Sequence, residues 1–274
     1  MILTCLAELD ADVRAGVLTR LRTEWTHHST ALEGNTLSLG ETALVLSEGL
    51  TIGGKSLKDH QEVIGHARAL DWVWAWSEAP HALTETDLFD MHRRVQTEQV
   101  FDTLAPVGAW KREPNDSYVV LDSKSAYNDA YALPSDVPAL METWMIDLNV
   151  HIEQAQNDVA LAIQAYCEIH AGFVRIHPFA DGNGRLARLL ANLPLLAAGL
   201  PPIMIQHQQR MEYIRTLAAW QMASGRPHSA QPLITQRSKL VPFCQLVSAA
   251  WQTTLDILSD AKNIQSQRNA DRLK

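Results

Sequence analysis

Residues 177 to 188 read His-Pro-Phe-Ala-Asp-Gly-Asn-Gly-Arg-Leu-Ala-Arg, and their side chains could move a proton beside a polyphosphate. His177 is the residue in this run whose unperturbed pKa lies near neutrality, which suits a general base. Gly182 and Gly184, on either side of Asn183, permit positive φ and close approach of the backbone to a ligand. An apolar helical stretch from Leu186 to about Ala198 follows. Its free N–H groups and positive dipole end would point into the turn, where phosphate is the natural occupant. Arg185 and Arg188 stand three apart and can present both guanidinium groups to one face. Asp181 cannot favour a phosphate by itself, but a carboxylate beside phosphates commonly holds Mg2+ or Mn2+. Taken singly, Gly-Asn-Gly is a plain turn and the arginines are solvated helix charges. The ordered combination points to chemistry. Neither G-x-x-x-x-G-K-[ST] nor a strand-linked G-x-G-x-x-G occurs, so the scaffold is a different one.

The elements that must position this run read as helices. Apolar periodicity predicts an amphipathic stretch over 7–28, a short helix over 40–48, a turn over 51–55 and a longer helix over 56–76. Thr84, with Asp87 three residues on, caps a helix reaching about Thr97. Further helices are predicted over 135–149, from Asn157 or Asp158 to Phe173, over 208–224 and over 241–266, with a polar tail from Lys262 to Lys274 that frays. Residues 117–121 (SYVVL) are β-prone and precede a polar Asp-Ser-Lys-Ser turn, which reads as a hairpin in an otherwise helical chain. His60 and His66 are six apart, not four, and read as solvent or core histidines, not zinc ligands. Trp72, Trp74 and Trp76 spread around a helix and read as packing into the core.

The twelve-residue run resembles the HxFx[DE]GNGRxxR motif of Fic-domain proteins at every fixed position. That resemblance implies an all-α fold, a helical core with a β-hairpin flap over the active site, and transfer of AMP from ATP to a protein hydroxyl with release of pyrophosphate. It makes His177 the base that deprotonates a Ser, Thr or Tyr hydroxyl, and Asp181 the holder of Mg2+. The Gly182, Asn183 and Gly184 amides become the anion hole. Arg185 is assigned to the β-phosphate, Arg188 to the γ-phosphate, and Phe179 to a buried anchor. The related Doc proteins, which phosphorylate, depart from the GNGR pattern, so the intact turn favours AMP transfer. Ser29 to Asn35 (STALEGN) resembles the [ST]xxxE[GN] inhibitory motif of the subclass with an N-terminal inhibitory helix. By that resemblance Glu33, with Ser29, pairs with Arg188 and displaces the γ-phosphate. Tyr213 would pack on the adenosine, and Gln221 would contact adenine where many relatives have Asn. The hairpin segment, about 108–134, would dock an extended segment of the target protein. The implied organisation is an N-terminal helical region over 1–50 with the inhibitory motif at Ser29–Gly34, a Fic core over 51–230, and a C-terminal helix and tail over 231–274. Two alternatives use the same residues: removal of AMP with Glu33 orienting water, or nucleotide sensing without turnover.

Composition is compatible with this frame. The 274 residues are 46% hydrophobic, enough for a sizeable core. A net charge of −8, with no local Lys/Arg cluster, argues against a nucleic-acid partner. Three widely spaced cysteines (Cys5, Cys167, Cys244) suggest reduced thiols. No membrane span and no leader peptide are expected, so the reading is a cytoplasmic protein, with a homodimer allowed.

Overall fold

Ten α-helices and one β-hairpin make up the described part of the computed structural model, which covers residues 6–97, 103–115, 117–121, 124–128, 131–155 and 157–272. The helices are α1 (Ala11–Ala31), α2 (Leu39–Glu48), α3 (Leu57–Glu78), α4 (Glu85–Val95), α5 (Val137–Glu153), α6 (Val159–Ile176), α7 (Asn183–Leu190), α8 (Leu193–Ala197), α9 (Arg210–Ser224) and α10 (Arg237–Arg272). Strands β1 (Ser117–Leu121) and β2 (Lys124–Asn128) pair antiparallel, with Ser117 opposite Asn128 and Leu121 opposite Lys124. The predicted turn residues Asp122 and Ser123, the chain start through Cys5, and Leu273 and Lys274 lie outside the described residues.

Local sequence sets most helix starts. Ser38, Ser56 and Thr84 each accept the N3 amide while the N3 carboxylate of Glu41, Asp59 or Asp87 reaches back to the cap amide. Asp158 caps α6 through Leu161 N–H. One continuous apolar core runs from α1 to α10 and includes Trp25, Trp144, Phe173, Phe179 and Phe243. At its centre lies α6, packed by α5, α7, α8 and α10. The tryptophans of α3 behave as expected: Trp76 is buried, and Trp72 and Trp74 pack on the core edge.

Three expectations are corrected. The stretch after Gly184 is two helices, because Asn192 turns its amide back onto Arg188 O and Ile203 O, and Pro194 has no N–H with which to continue α7. The tail does not fray: α10 continues to Arg272, and Arg268 and Arg272 bind Asp12 and Asp10 at the start of α1. Helix α6 is long and apolar enough by composition to cross a membrane, contrary to the reading that no such stretch exists. It is instead the central core helix of this fold, with Arg175 and His170 fully buried on it.

Candidate active site around residues 177–188

The loop between α6 and α7 is built by buried hydrogen bonds. His177 ends α6 in the left-handed region at φ 53°, and Gly182 opens α7 at φ 79°. Asn183 points inward: its Oδ1 accepts Phe179 N–H at 3.0 Å and its Nδ2 donates to Phe179 O at 2.8 Å. Its side chain therefore shapes the loop, leaving the backbone to meet a ligand. Phe179 is fully buried, stacked on His92 at 3.9 Å and tilted against Trp110 at 5.2 Å. The amides of Asn183, Gly184 and Arg185, in the first turn of α7, have no intrahelical acceptor, as at any helix N-terminus.

The imidazole of His177 stacks on Tyr131 at 3.9 Å, and its Nδ1 lies 3.3 Å from Val174 O. A carbonyl can only accept, so Nδ1 carries the proton and Nε2 the lone pair. Burial, reinforced by the Lys111 ammonium, pushes the His177 pKa down to about 3, which keeps the ring neutral at pH 7. Lys111 is itself pushed down to about 8 by burial.

Asp181 is largely exposed. One oxygen accepts Gly182 N–H at 2.6 Å and the other lies 3.5 Å from Arg185. An exposed carboxylate at the mouth of an amide turn suits Mg2+, which takes one or two carboxylates and completes its shell with phosphate and water oxygens.

The two arginines diverge. Arg185 is buried toward the end of α4, donating to Gln96 Oε1 at 3.1 Å and Val95 O at 3.4 Å, with Glu62 3.9 Å away. Burial raises the pKa of Glu62, which also accepts from Asn35. Arg188 turns toward the end of α1. It donates to Ser29 Oγ (3.0 Å), Ser29 O (2.8 Å), Tyr213 Oη (3.2 Å) and Glu33 Oε1 (2.6 Å). The Glu33 carboxylate also lies over Gly184, where any Cβ would collide with its Oε1. A larger residue at 184 would therefore press on the ends of the Glu33 and Arg188 side chains.

The structure brings His177, Asp181, the Gly182–Gly184 amides, Arg185, Arg188, Ser29 and Glu33 into one neighbourhood. It puts Tyr213 elsewhere than at an open nucleoside surface. The ring is 7% exposed, and its hydroxyl bridges Arg188 and His170 Nε2 (3.1 Å). Burial raises its pKa to about 12, so the phenol stays protonated and can donate to His170. Gln221 is buried on the same helix, two turns further along.

Sequence reading missed several positioning residues. His92 donates from Nε2 to Asp181 O (3.1 Å) and accepts Gly108 N–H at Nδ1 (2.8 Å), so it ties α4, the segment before the hairpin and the catalytic loop together. Lys111 N–H donates to Pro178 O, and Asn115 donates to Phe179 O. Tyr131 and Glu62 belong to the same group. No local pattern marks them, because each reaches the loop between α6 and α7, or Arg185 just beyond it, across 46 or more residues of sequence.

Comparison with known proteins agrees with this architecture. The Fic/DOC family model matches residues 82–195. The chain is 35% identical over 205 residues to the protein adenylyltransferase fic-1 of Caenorhabditis briggsae, covering 74% of this chain and 37% of that protein. It is 29% identical over 231 residues to the protein adenylyltransferase Fic of Drosophila willistoni, covering 84% and 40%. The chain thus spans less than half the length of these curated relatives. A Fic domain containing signaling protein from Bacteroides thetaiotaomicron superposes with TM-score 0.80 at 27% identity, covering 95% of this chain and 94% of that one. Matched in sequence and in fold, the chain carries a domain of the Fic/DOC family over residues 82–195.

Proposed function

We propose that the chain is a protein adenylyltransferase whose activity is restrained by Glu33. The observation that carries this reading is the Glu33–Arg188 contact at 2.6 Å, seated against the first turn of α7. In the reaction, His177 Nε2 takes the proton of a target Ser, Thr or Tyr hydroxyl as its oxygen attacks the α-phosphorus of ATP. The bond to the β-phosphate oxygen breaks, and pyrophosphate leaves. The neutral state of His177 and its Nδ1–Val174 contact support this role, because the lone pair is fixed on Nε2. The amides of α7 would hold the α- and β-phosphates, with Arg185 beside them. Asp181 is the residue that would hold Mg2+, which when bound neutralises phosphate charge.

Arg188 is the natural partner of the γ-phosphate, yet Glu33 occupies it. An anion there repels the γ-phosphate and displaces the triphosphate from the in-line geometry that transfer needs. Ser29 and Tyr213 hold the guanidinium in place from two further sides, so Tyr213 acts through Arg188 in this reading, not by packing on adenosine. The hairpin is read as a flap that docks an extended target segment by strand addition. Supporting this, the segment before β1 is tied to the catalytic loop through Gly108, Lys111 and Asn115, and β1 lies against α9.

The test is incubation of Glu33→Gly and His177→Ala proteins with labelled ATP and a cell lysate, read by mass spectrometry. Glu33→Gly is expected to raise AMP labelling of itself and of targets, and His177→Ala to abolish it. Equal labelling by both variants would remove His177 as the base. Labelling unchanged by Glu33→Gly would remove the restraint.

A further inference from the structure

Away from the phosphate turn, three imidazoles converge on one point. His27 and His28 lie near the end of α1, and His207 opens the 3-10 turn His207–Gln209 that leads into α9. Consecutive helical residues point about 100° apart, so a neighbouring pair rarely faces a common ligand. Here the ring centroids are 5.1 Å (His27–His28), 5.4 Å (His27–His207) and 5.5 Å (His28–His207), a nearly equilateral triangle. One ring nitrogen from each residue lies within 4.8 Å of the other two. His28 Nδ1 and His207 Nδ1 are 3.3 Å apart. Two nitrogens bound to a tetrahedral Zn2+ at ordinary bond lengths stand about 3.3–3.4 Å apart, so one edge of such a site is already set. His27 and His28 are each only 7% exposed, and His27 Nδ1 has no hydrogen-bond partner. A buried nitrogen left without a partner calls for an explanation, and a metal supplies one.

We propose that His27, His28 and His207 form a site for a divalent transition metal of the Zn2+ class, stapling the end of α1 to the turn that starts α9. An all-imidazole donor set selects Zn2+, Ni2+ or Cu2+ over the hard cations that Asp181 would attract. Three protein nitrogens leave a fourth position for water on the exposed His207 side. The staple lies beside an existing tie, Arg210 Nε to Leu32 O at 2.8 Å. Because Ser29 follows His28 directly and Glu33 stands five residues on, the metal fixes the segment that contacts Arg188. The site rests on its own geometry and stands whether or not Glu33 restrains catalysis.

The experiment strips the full chain with a chelator, titrates it with Co2+, and then adds Zn2+. One equivalent of Co2+ is expected to give the visible absorption of a four-coordinate ion, which Zn2+ quenches while raising Tm. His207 is exposed on a short turn, so His207→Ala keeps the fold, checked by circular dichroism, and is expected to abolish both responses. His228→Ala, another exposed histidine, leaves both intact. No equimolar binding by the wild-type chain, or binding that His207→Ala leaves unchanged, overturns the proposal; the latter means an adventitious surface ion only.

Discussion

The catalytic loop and the segment that ends α1 meet at Arg188, yet they are held in opposite ways. The loop over 177–185 is over-determined: Asn183 closes it on Phe179, His92 ties it to α4, and Phe179 is sealed in the core. The segment over 29–35 reaches the site through the Ser29 and Glu33 contacts to Arg188, while Arg210 donates to Leu32 O and the Asn35 side chain donates to Asp59 O on α3. Glu33 itself is 38% exposed, while Arg188 is 2% exposed. Under the proposed function, a base must stay in register through every turnover, which suits a loop locked by buried contacts. A restraint must let go, which suits one charge-assisted contact near solvent. The general lesson is that burial separates fixed machinery from a reversible partner.

That contrast can be broken from the loop side first. His177→Ala is expected to lower AMP transfer by about 10^2–10^4-fold, the usual worth of a positioned base, with little change in Tm. A large fall in Tm would mean that the residue serves the fold. Phe179→Ala is expected to cost about 3–5 kcal/mol in urea unfolding, because it empties a sealed aromatic site. Glu33→Gly should act in the other direction. A charge-assisted hydrogen bond of about 1.5–3 kcal/mol converts to a rise in transfer of roughly ten- to a hundredfold. Its effect on stability should stay within about 1 kcal/mol, since the carboxylate is more than a third exposed. If stability fell as far as with Phe179→Ala, the two regions would not differ as argued.

Smaller effects sharpen the comparison. His92→Phe keeps the stack on Phe179 but leaves Gly108 N–H without its acceptor. A loss of about 1–3 kcal/mol is expected in unfolding, together with a fall in transfer. Unchanged transfer would detach the hairpin tether from the loop. Finally, burial lowers His28 and His92 to about 4 and His177 to about 3. As pH falls below about 6.5 the unfolded chain takes up these protons first, so stability declines through that window toward pH 3–4. Tm should be flat around pH 7 and fall steadily below 6.5. A Tm that rises on acidification would contradict the buried, neutral histidines.

Much of this was legible in the sequence where the signal is local. The capping pair at Thr84, the glycine-flanked Asn183 and the run from His177 to Arg188 each declare themselves within a few residues. The α7–α8 break was missed because Leu186 to Ala198 is mostly apolar; Pro194 is a local signal for it, but the bond from Ile203 N–H to Asn192 exists only in the fold. The tail was misread for a similar reason. Its polar residues look solvated until Asp10 and Asp12 stand opposite them. That the Tyr213 hydroxyl bridges Arg188 and His170 was not legible, because an aromatic ring on a helix says nothing of which neighbour its hydroxyl will meet.

By itself, then, the sequence determined the chemistry on offer: a base, an amide turn, two guanidinium groups and a carboxylate, with a second carboxylate some 150 residues upstream. It determined these because residue type and short spacing fix protonation, charge and turn geometry. Tertiary structure alone decided that Arg185 turns toward Gln96 and Glu62, that the Tyr213 hydroxyl joins Glu33 on Arg188, and that three histidines from two distant segments share one corner. Those outcomes depend on how α1, α3, α7 and α9 pack, and packing is a property of surfaces that no local run of residues contains.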